Sequence, residues 1–385
     1  MKVAILSDGV FPATLGGIQR HTRLLVETLA AEHPSVKIIV LHPHGKDRLF
    51  PSLPSVEEVP VEPRPGRRRY ATECHALSER MATVVSQIPD AVVYAQGLAG
   101  WAGAKTLTDR LIVNPHGLEP FQCSALADRL RNWPLRVGLK HCFRHARAVI
   151  SLGGSLTEIL SRYVPEPLTR VVTIPNGVEI PIAGYSARAP IADRLRILFV
   201  GRFARNKGIP DLLKAISLLE QRGVGDRLQV DLVGSGPLWA ELSARAPSRI
   251  IRYHGSVADA ELQQLYTAAD VFVLPTHFEG MPTVVLEAMA RGLPIIVSEV
   301  GATCELVDSS NGFLIPPSNP LELATRIEQC LRMAPGELQT LGRASFAKAT
   351  ARFSWSEVAQ KHVSLFERVS AEIQSSNGRS SKLAG

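Results

Sequence analysis

Short apolar runs bounded by turn residues recur along this chain, and stretches with helical periodicity separate them. A first series falls at residues 3–7, 36–41, 91–95, 111–114, 148–151 and 171–175. A second falls at 196–201, 228–234, 250–255, 271–274, 295–297 and 312–316. Residues 18–31 and 74–87 carry the clearest amphipathic helical patterns. Runs this short and apolar on both faces, alternating with helices, predict parallel sheets covered on both sides. No repeat of solenoid period interrupts the alternation. Residues 181–194, rich in Pro, Ala and Gly, separate the two series and predict a domain boundary. Beyond residue 320 the pattern turns helical. Ser354 reads as an N-cap with Glu357 at the capping-box position, ahead of a helix over 355–373. The expected organisation is an N-terminal domain over 1–185, a second over 195–350, a helix over 351–373 returning to the first domain, and a disordered tail over 374–385.

A chain of 385 residues is long enough for two such cores. Its hydrophobic content of 45% and charged content of 21% describe an ordinary soluble protein. No apolar run approaches the roughly 18 residues of a membrane span, and the opening MKVAILSDGV reads as a buried strand. The five cysteines are scattered without metal-ligand spacing and predict reduced thiols in a cytoplasmic protein. The net charge of +7 is uneven: residues 1–185 carry 21 Lys/Arg against 16 Asp/Glu. Arg64, Arg67, Arg68 and Arg69 cluster, and residues 131–147 hold five Lys/Arg with no acid. Such patches suit either solvent or an anionic surface. Pro134 interrupts the second patch and argues against an amphipathic insertion helix there.

Candidate chemistry gathers where strands end. Glu279 and Glu287 lie eight positions apart across a turn-to-helix junction, between the apolar runs 271–274 and 295–297. Open α/β sheets bind ligands at such strand ends. Arg202 and Lys207 follow the run 196–201 and precede a helix near Ile209, which suits a diphosphate or ordinary loop charge. Gly16 and Gly17 precede the first helix, yet neither they nor Gly234–Gly236 form a dinucleotide fingerprint. His116 directly follows the run 111–114. It is placed to bond a sugar hydroxyl, to carry a proton, or to serve as a plain loop histidine.

In this order and spacing, these segments resemble retaining glycosyltransferases of family 4. The resemblance spans nearly the whole chain: GGIQRH, PHG, IPNGVE, GRFARNKG, LVGSGPL, EGMPTVVLEAMARGLPIIVS, NGFLIPP and FSWSEVAQKH. It implies the GT-B architecture, two Rossmann-like doubly wound domains facing across a cleft. Carried over residue by residue, it implies that Arg202 and Lys207 hold the donor diphosphate. It further implies that Glu287 grips the ribose, and that Glu279 with Gly280, Met281 and Pro282 contacts the transferred sugar. Gly16 and Gly17 would let backbone approach the phosphates, His116 would meet the sugar, and Val257 would lie near the base. Gln19 and His21 would face the acceptor. His277, where a small residue is common, leaves the donor-sugar preference open.

The implied reaction moves a sugar from a nucleotide-diphosphate-sugar to a lipid-linked or polysaccharide acceptor in cell-surface glycan synthesis. No cofactor or metal is expected, because the two cations would neutralise the leaving diphosphate. The basic first domain fits peripheral contact with the anionic inner face of the cell membrane. A GT-B epimerase of free nucleotide-sugars and a non-catalytic nucleotide-sugar or polyanion binder remain as alternatives. Nucleic acid is not an expected partner.

Overall fold

The computed structural model describes residues 1–14, 16–45, 48–62, 70–122, 126–165, 170–185, 194–244 and 248–382. Cys123, the arginines 64 and 67–69, and residues 186–193 of the expected boundary lie outside them. The chain divides into two compact units, Met1–Asn176 with Trp355–Gly385, and Gly177–Ser354. The division thus falls ahead of residues 181–194, where composition alone set it.

The first unit runs β1 (Lys2–Leu6), α1 (Gly17–Glu32), β2 (Lys37–His42), β3 (Val56–Pro60), α2 (Tyr70–Ser86), β4 (Ala91–Gln96) and β5 (Leu111–Asn114). It continues through α3 (Glu119–Gln122), α4 (Leu126–Arg131), α5 (Trp133–His145), β6 (Ala148–Ser151), α6 (Ser155–Ser161) and β7 (Val171–Thr173). The second runs β8 (Leu195–Val200), α7 (Ile209–Gln221), β9 (Leu228–Val233), α8 (Trp239–Ser243), β10 (Ile251–Gly255), α9 (Asp259–Ala268) and β11 (Val271–Leu274). After these come α10 (Thr283–Ala290), β12 (Ile295–Ser298), α11 (Thr303–Leu306), β13 (Gly312–Ile315), α12 (Pro320–Arg332) and α13 (Pro335–Phe353). The last helix, α14 (Trp355–Lys382), belongs to the first unit.

Both sheets are parallel, and their orders explain the two-sided apolar runs. The first is β3-β2-β1-β4-β5-β6-β7 and the second β10-β9-β8-β11-β12-β13. Every residue of β4, β5, β11 and β12 is buried, as a sheet covered on both faces requires. In each unit the chain builds outward on one side and then crosses to the other. A topological switch point therefore lies between β1 and β4, and another between β8 and β11.

Strand β3, VEEVP, has no counterpart among the predicted runs, because two glutamates and a proline mask it. It is an edge strand, where a proline is tolerated. Its Glu58 accepts hydrogen bonds from the backbone N–H groups of Leu49 (2.7 Å) and Phe50 (3.2 Å) and from Arg48 Nε (3.2 Å). That carboxylate ties the preceding loop to the sheet edge, and these bonds hold it below its ordinary range against the effect of burial. Buried Cys142 and Cys330 are free thiols, each pushed up to about 12 by desolvation. Both are therefore unreactive.

Helix α14 completes the core of the first unit. Val358, Val363, Phe366 and Val369 join Leu25, Val26 and Leu29 of α1 in one buried cluster with β1 and β4 residues. The backbone stays helical to Lys382, past residue 373, since a packed helix extends without a new nucleation step. Phe366 is fully buried, with its ring 5.6 Å from that of Tyr94. Phe366→Ala is expected to lower unfolding free energy by about 3–5 kcal/mol in urea titrations followed by circular dichroism. A loss under about 1 kcal/mol would show that α14 does not complete this core.

Candidate functional site

In the second unit, the loops after β8 and β11 meet at the switch point because one residue lacks a side chain. Gly208 adopts a left-handed φ of 73°, and a Cβ there would lie 1.8 Å from the Pro275 carbonyl oxygen. With no Cβ, the first loop lies flat on the second. The His277 N–H then donates to Asn206 O (2.8 Å), and Thr276 Oγ1 donates to the same oxygen (3.0 Å). Two side-chain links span the same loops: Lys207 Nζ to Glu279 Oε1 at 2.6 Å, and His277 Nε2 to Asp211 Oδ2 at 2.6 Å. Arg202 is exposed and has no ion-pair partner among the described residues. One cation is thus fixed by a carboxylate while its neighbour stays available.

A third loop, after β12, holds the backbone that follows Glu279. Gly301, at φ 58°, leaves only 2.2 Å between a would-be Cβ and Glu279 O, and the Ala302 N–H donates to Gly280 O (2.9 Å). Met281 and Pro282 are buried, leading into α10. On that helix Glu287 Oε2 accepts the hydroxyl of buried Tyr266 at 3.0 Å. The same hydroxyl lies 3.3 Å from Val284 O, so Tyr266 ties the Glu287 side chain to the start of its own helix. The GSG segment has a packing role: a Cβ on Gly234 would meet Gly201 O at 2.0 Å, and Phe203 N–H donates to Ser235 O at 2.8 Å. It presses the loop after β9 against the one bearing Arg202. Val257 follows β10, where His254 Nε2 lies 2.7 Å from Asp231 Oδ1.

In the first unit, the β1 loop enters α1 through Gly16 and Gly17. A Cβ on Gly16 would fall 2.1 Å from Gln19 Oε1, whereas one on Gly17 would meet open space. Gln19 Nε2 donates to Asp8 Oδ1 (2.8 Å), whose carboxyl burial pushes up. Both line a mostly apolar cavity of about 930 Å³ at the strand ends, together with Tyr70, Cys74, Gly97 and Gly117. His21 points elsewhere. At 4% exposure it sits inside the fold, its ring 4.7 Å from His116 and 5.2 Å from Trp355.

His116 terminates a directed hydrogen-bond chain that starts on α14. His362 Nδ1 donates to Val358 O (2.8 Å), so its Nε2 is bare and accepts from the Tyr94 hydroxyl (3.3 Å). That hydroxyl in turn accepts from Asn114 Nδ2 (2.9 Å). Asn114 Oδ1 accepts the backbone N–H of His116 (3.0 Å), and His116 holds a φ of 57°, uncommon for a residue with a side chain. Finally, His116 Nε2 lies 2.8 Å from Gln96 Oε1, an acceptor, so the ring donates there and keeps a lone pair on Nδ1. Burial first, and neighbouring imidazoles second, depress the basicity of this cluster. His116 falls to about 3, His21 lies well below the ordinary histidine value, and burial alone takes His362 to about 4. At neutral pH His116 is an uncharged hydrogen-bonding group; the proton-carrier reading does not fit this environment. Sequence reasoning did not single out Asp8, Tyr94, Gln96, Asp211, Tyr266 or His362, since each meets its partner at the site only through folding.

Comparison with known proteins follows from this geometry. Residues 15–180 match the family model described as Glycosyltransferase Family 4, and residues 194–333 match Glycosyl transferases group 1. The chain is 25% identical over 384 residues to glycogen synthase of Mycobacterium tuberculosis, spanning 93% of this chain and 92% of that protein. Sucrose-phosphate synthase from Thermosynechococcus elongatus superimposes with a TM-score of 0.79 at 24% identity, covering 96% and 99% of the two chains. Anabaena HepE, solved in complex with UDP-glucose, gives a TM-score of 0.71 at 20% identity, covering 96% and 100%.

The imidazole cluster sets a pH response. His362 stays neutral in the fold down to about 4 but protonates near 6.5 once unfolded, so the unfolded chain binds more protons between those values. Its contribution is complete above pH 6.5 and is lost as pH falls toward 4, on the order of 3 kcal/mol. Unfolding free energy measured from pH 7 to 4 should fall, and His362→Gln should flatten that slope. An unchanged slope in the variant would take His362 out of the acid response.

Proposed function

The chain belongs to glycosyltransferase family 4 and has the GT-B fold, and from that premise we propose the reaction its residues perform. It moves a sugar, with retention at the anomeric carbon and without a metal ion, from a nucleotide-diphosphate-sugar to a lipid-linked or polysaccharide acceptor. It works at the cytoplasmic face of the cell membrane, in cell-surface glycan synthesis. No helix among the described residues is long and apolar enough to cross a membrane, and the contact proposed is peripheral.

The pairing of Lys207 with Glu279 beside unpaired Arg202, at the switch point of the second sheet, carries this reading. Breaking the anomeric C–O bond leaves positive charge on the sugar and negative charge on the departing diphosphate. An ammonium has three N–H donors, and Glu279 takes one from Lys207, leaving two for phosphate oxygens. Arg202 adds a planar fork suited to a phosphate. Glu287, held by the Tyr266 hydroxyl, is the carboxylate for the ribose hydroxyls. The complex of HepE with UDP-glucose supports a nucleotide-sugar as the donor.

Glu279 is tied to a cation, which lowers its competence as a nucleophile and favours its role as a contact to the sugar. Retention then follows from front-face attack. The acceptor oxygen bonds to the anomeric carbon as the carbon–phosphate-oxygen bond breaks, and the acceptor proton passes to the leaving phosphate. The apolar cavity of the first unit suits the acceptor. His116, neutral and fixed on Gln96, orients a hydroxyl without accepting its proton outright.

Lys207→Ala should lower kcat/KM at least about tenfold with the best donor in a thermal-shift screen of UDP-, GDP- and ADP-sugars. Near wild-type transfer would remove Lys207 from the diphosphate site. Transfer should also survive EDTA. Activity that EDTA abolishes and magnesium restores would sink the metal-free reading.

A further inference from the structure

Helix α4 buries none of its residues, although Leu126 and Leu130 are 70% and 67% exposed. A helix gains most of its stability from the apolar face it packs. A short helix that packs none against its own chain presents that face to something else.

The exposed stripe continues into α5. Trp133 and Val137 are 63% and 42% exposed, so the stripe runs 126, 130, 133, 137, at helical spacing across the junction of α4 and α5. Pro134 does not break it. It occupies the first turn of α5, where its missing N–H is no loss. Helix-type bonds bridge the junction: Asn132 N–H to Asp128 O at 2.9 Å and Arg136 N–H to Asn132 O at 3.0 Å. The interruption expected from the sequence is a single turn residue, Asn132, between α4 and α5, and these bonds carry the chain across it.

Cations flank the stripe. Arg129, Arg131 and Arg144 are exposed, while Arg136 and Lys140 lie over the rings of Phe121 (5.2 Å) and Tyr163 (4.4 Å). The nearby acids are Glu119 on α3 and Asp128, which stands 3.9 Å from Arg131 across a solvent-exposed gap. Leucines and a tryptophan bordered by arginines and lysine match a bilayer interface with anionic headgroups, where aromatic rings seat at headgroup depth. The opposite side of α5 carries Leu135 and Leu139, which line the 930 Å³ cavity.

We propose that the outer face of α4–α5 docks the protein on an anionic lipid surface through Leu126, Leu130, Trp133 and Val137, with Arg129, Arg131 and Arg144 on the headgroups. Docking places the wall of the cavity against the bilayer, so a lipid-linked acceptor reaches the cavity from the membrane plane. The docking gives a surface to the peripheral membrane contact proposed above, and the acceptor's route rests also on the acceptor reading.

The full-length protein is tested at low salt on phosphatidylcholine vesicles with and without phosphatidylglycerol. It should sediment with the anionic vesicles only, with a blue shift in the emission of exposed Trp133. Leu130→Ser with Trp133→Ser should weaken partitioning at least about tenfold, each residue losing a buried apolar side chain. Arg129→Gln with Arg131→Gln should weaken it about 30-fold, and added salt should weaken the wild type likewise. Equal partitioning on both vesicle types, or no loss in either variant, overturns the proposal. A dimer by light scattering that the apolar variant splits, without vesicle binding, overturns it in favour of self-association. Donor-induced thermal stabilisation, measured in parallel, should be unchanged in both variants. Its absence from the wild type would count against the transferase reading and leave the docking result standing.

Discussion

The contact between Gly208 and the Pro275 carbonyl is the constraint on which the second unit's chemistry depends. Parallel sheets leave their strand ends splayed at a switch point, because the chain departs in opposite directions on either side. Loops there approach closely only if one gives up its Cβ and accepts a left-handed turn. Gly208 does both, and the distance it saves lets Lys207 reach Glu279 at 2.6 Å and His277 reach Asp211. Gly234 and Gly301 repeat the device on either side, each admitting a carbonyl within about 2.2 Å of a missing Cβ. Three glycines thus convert four strand ends into one rigid cradle. Its polar groups are aimed before any ligand arrives, which is what electrostatic stabilisation of a leaving group requires.

The first unit solves a different problem, how to gather histidines at a strand end without charging them. A solvated imidazole protonates as pH falls, and a charged ring would change the local field. Packing His21 against Trp355, with His116 and His362 beside it, withdraws the rings from water, and the neighbouring imidazoles make a proton on His21 or His116 costlier still. Two anchors set the directions: His362 commits Nδ1 to the Val358 carbonyl and leaves Nε2 to accept, while the His116 backbone N–H donates to Asn114 Oδ1 and turns Nδ2 toward the Tyr94 hydroxyl. The terminal helix therefore does more than fill a core, since it supplies one end of a hydrogen-bond chain whose other end lies at the strand tip.

How legible this was depended on the range of the interaction. Runs such as 111–114, 148–151 and 271–274 coincide with strands because burial on both faces leaves only apolar residues. Strand β3 escaped because a buried Glu58 serves the loop before it, and its partners at Leu49 and Phe50 are brought close only by folding. Lys207 and Glu279 stood out by their places after apolar runs, but nothing local said that they pair, 72 positions apart. Tyr94 and His362, 268 positions apart, were invisible for the same reason. His21 shows the opposite error: a helix position after paired glycines suggested an open face, yet the residue points inward.

Residues 131–147 show how one helix can carry two demands at once. Read as a line of charges with a proline, the segment suited either solvent or an anionic surface. Folded, positions 133 and 137 face outward and 135 and 139 inward, since two residues along a helix turn the side chain by about 200°. The inward pair walls the cavity and the outward pair is left uncovered. An acceptor with an apolar part needs an apolar wall, and a protein that meets such acceptors in a membrane needs an apolar exterior there. Cations on the flanks reconcile the second need with solubility, because they keep the exposed stripe narrow and repel a second copy of the same face. Five of the Lys/Arg of the first 185 residues lie within 131–147, so the basic excess is in part a local property of this segment.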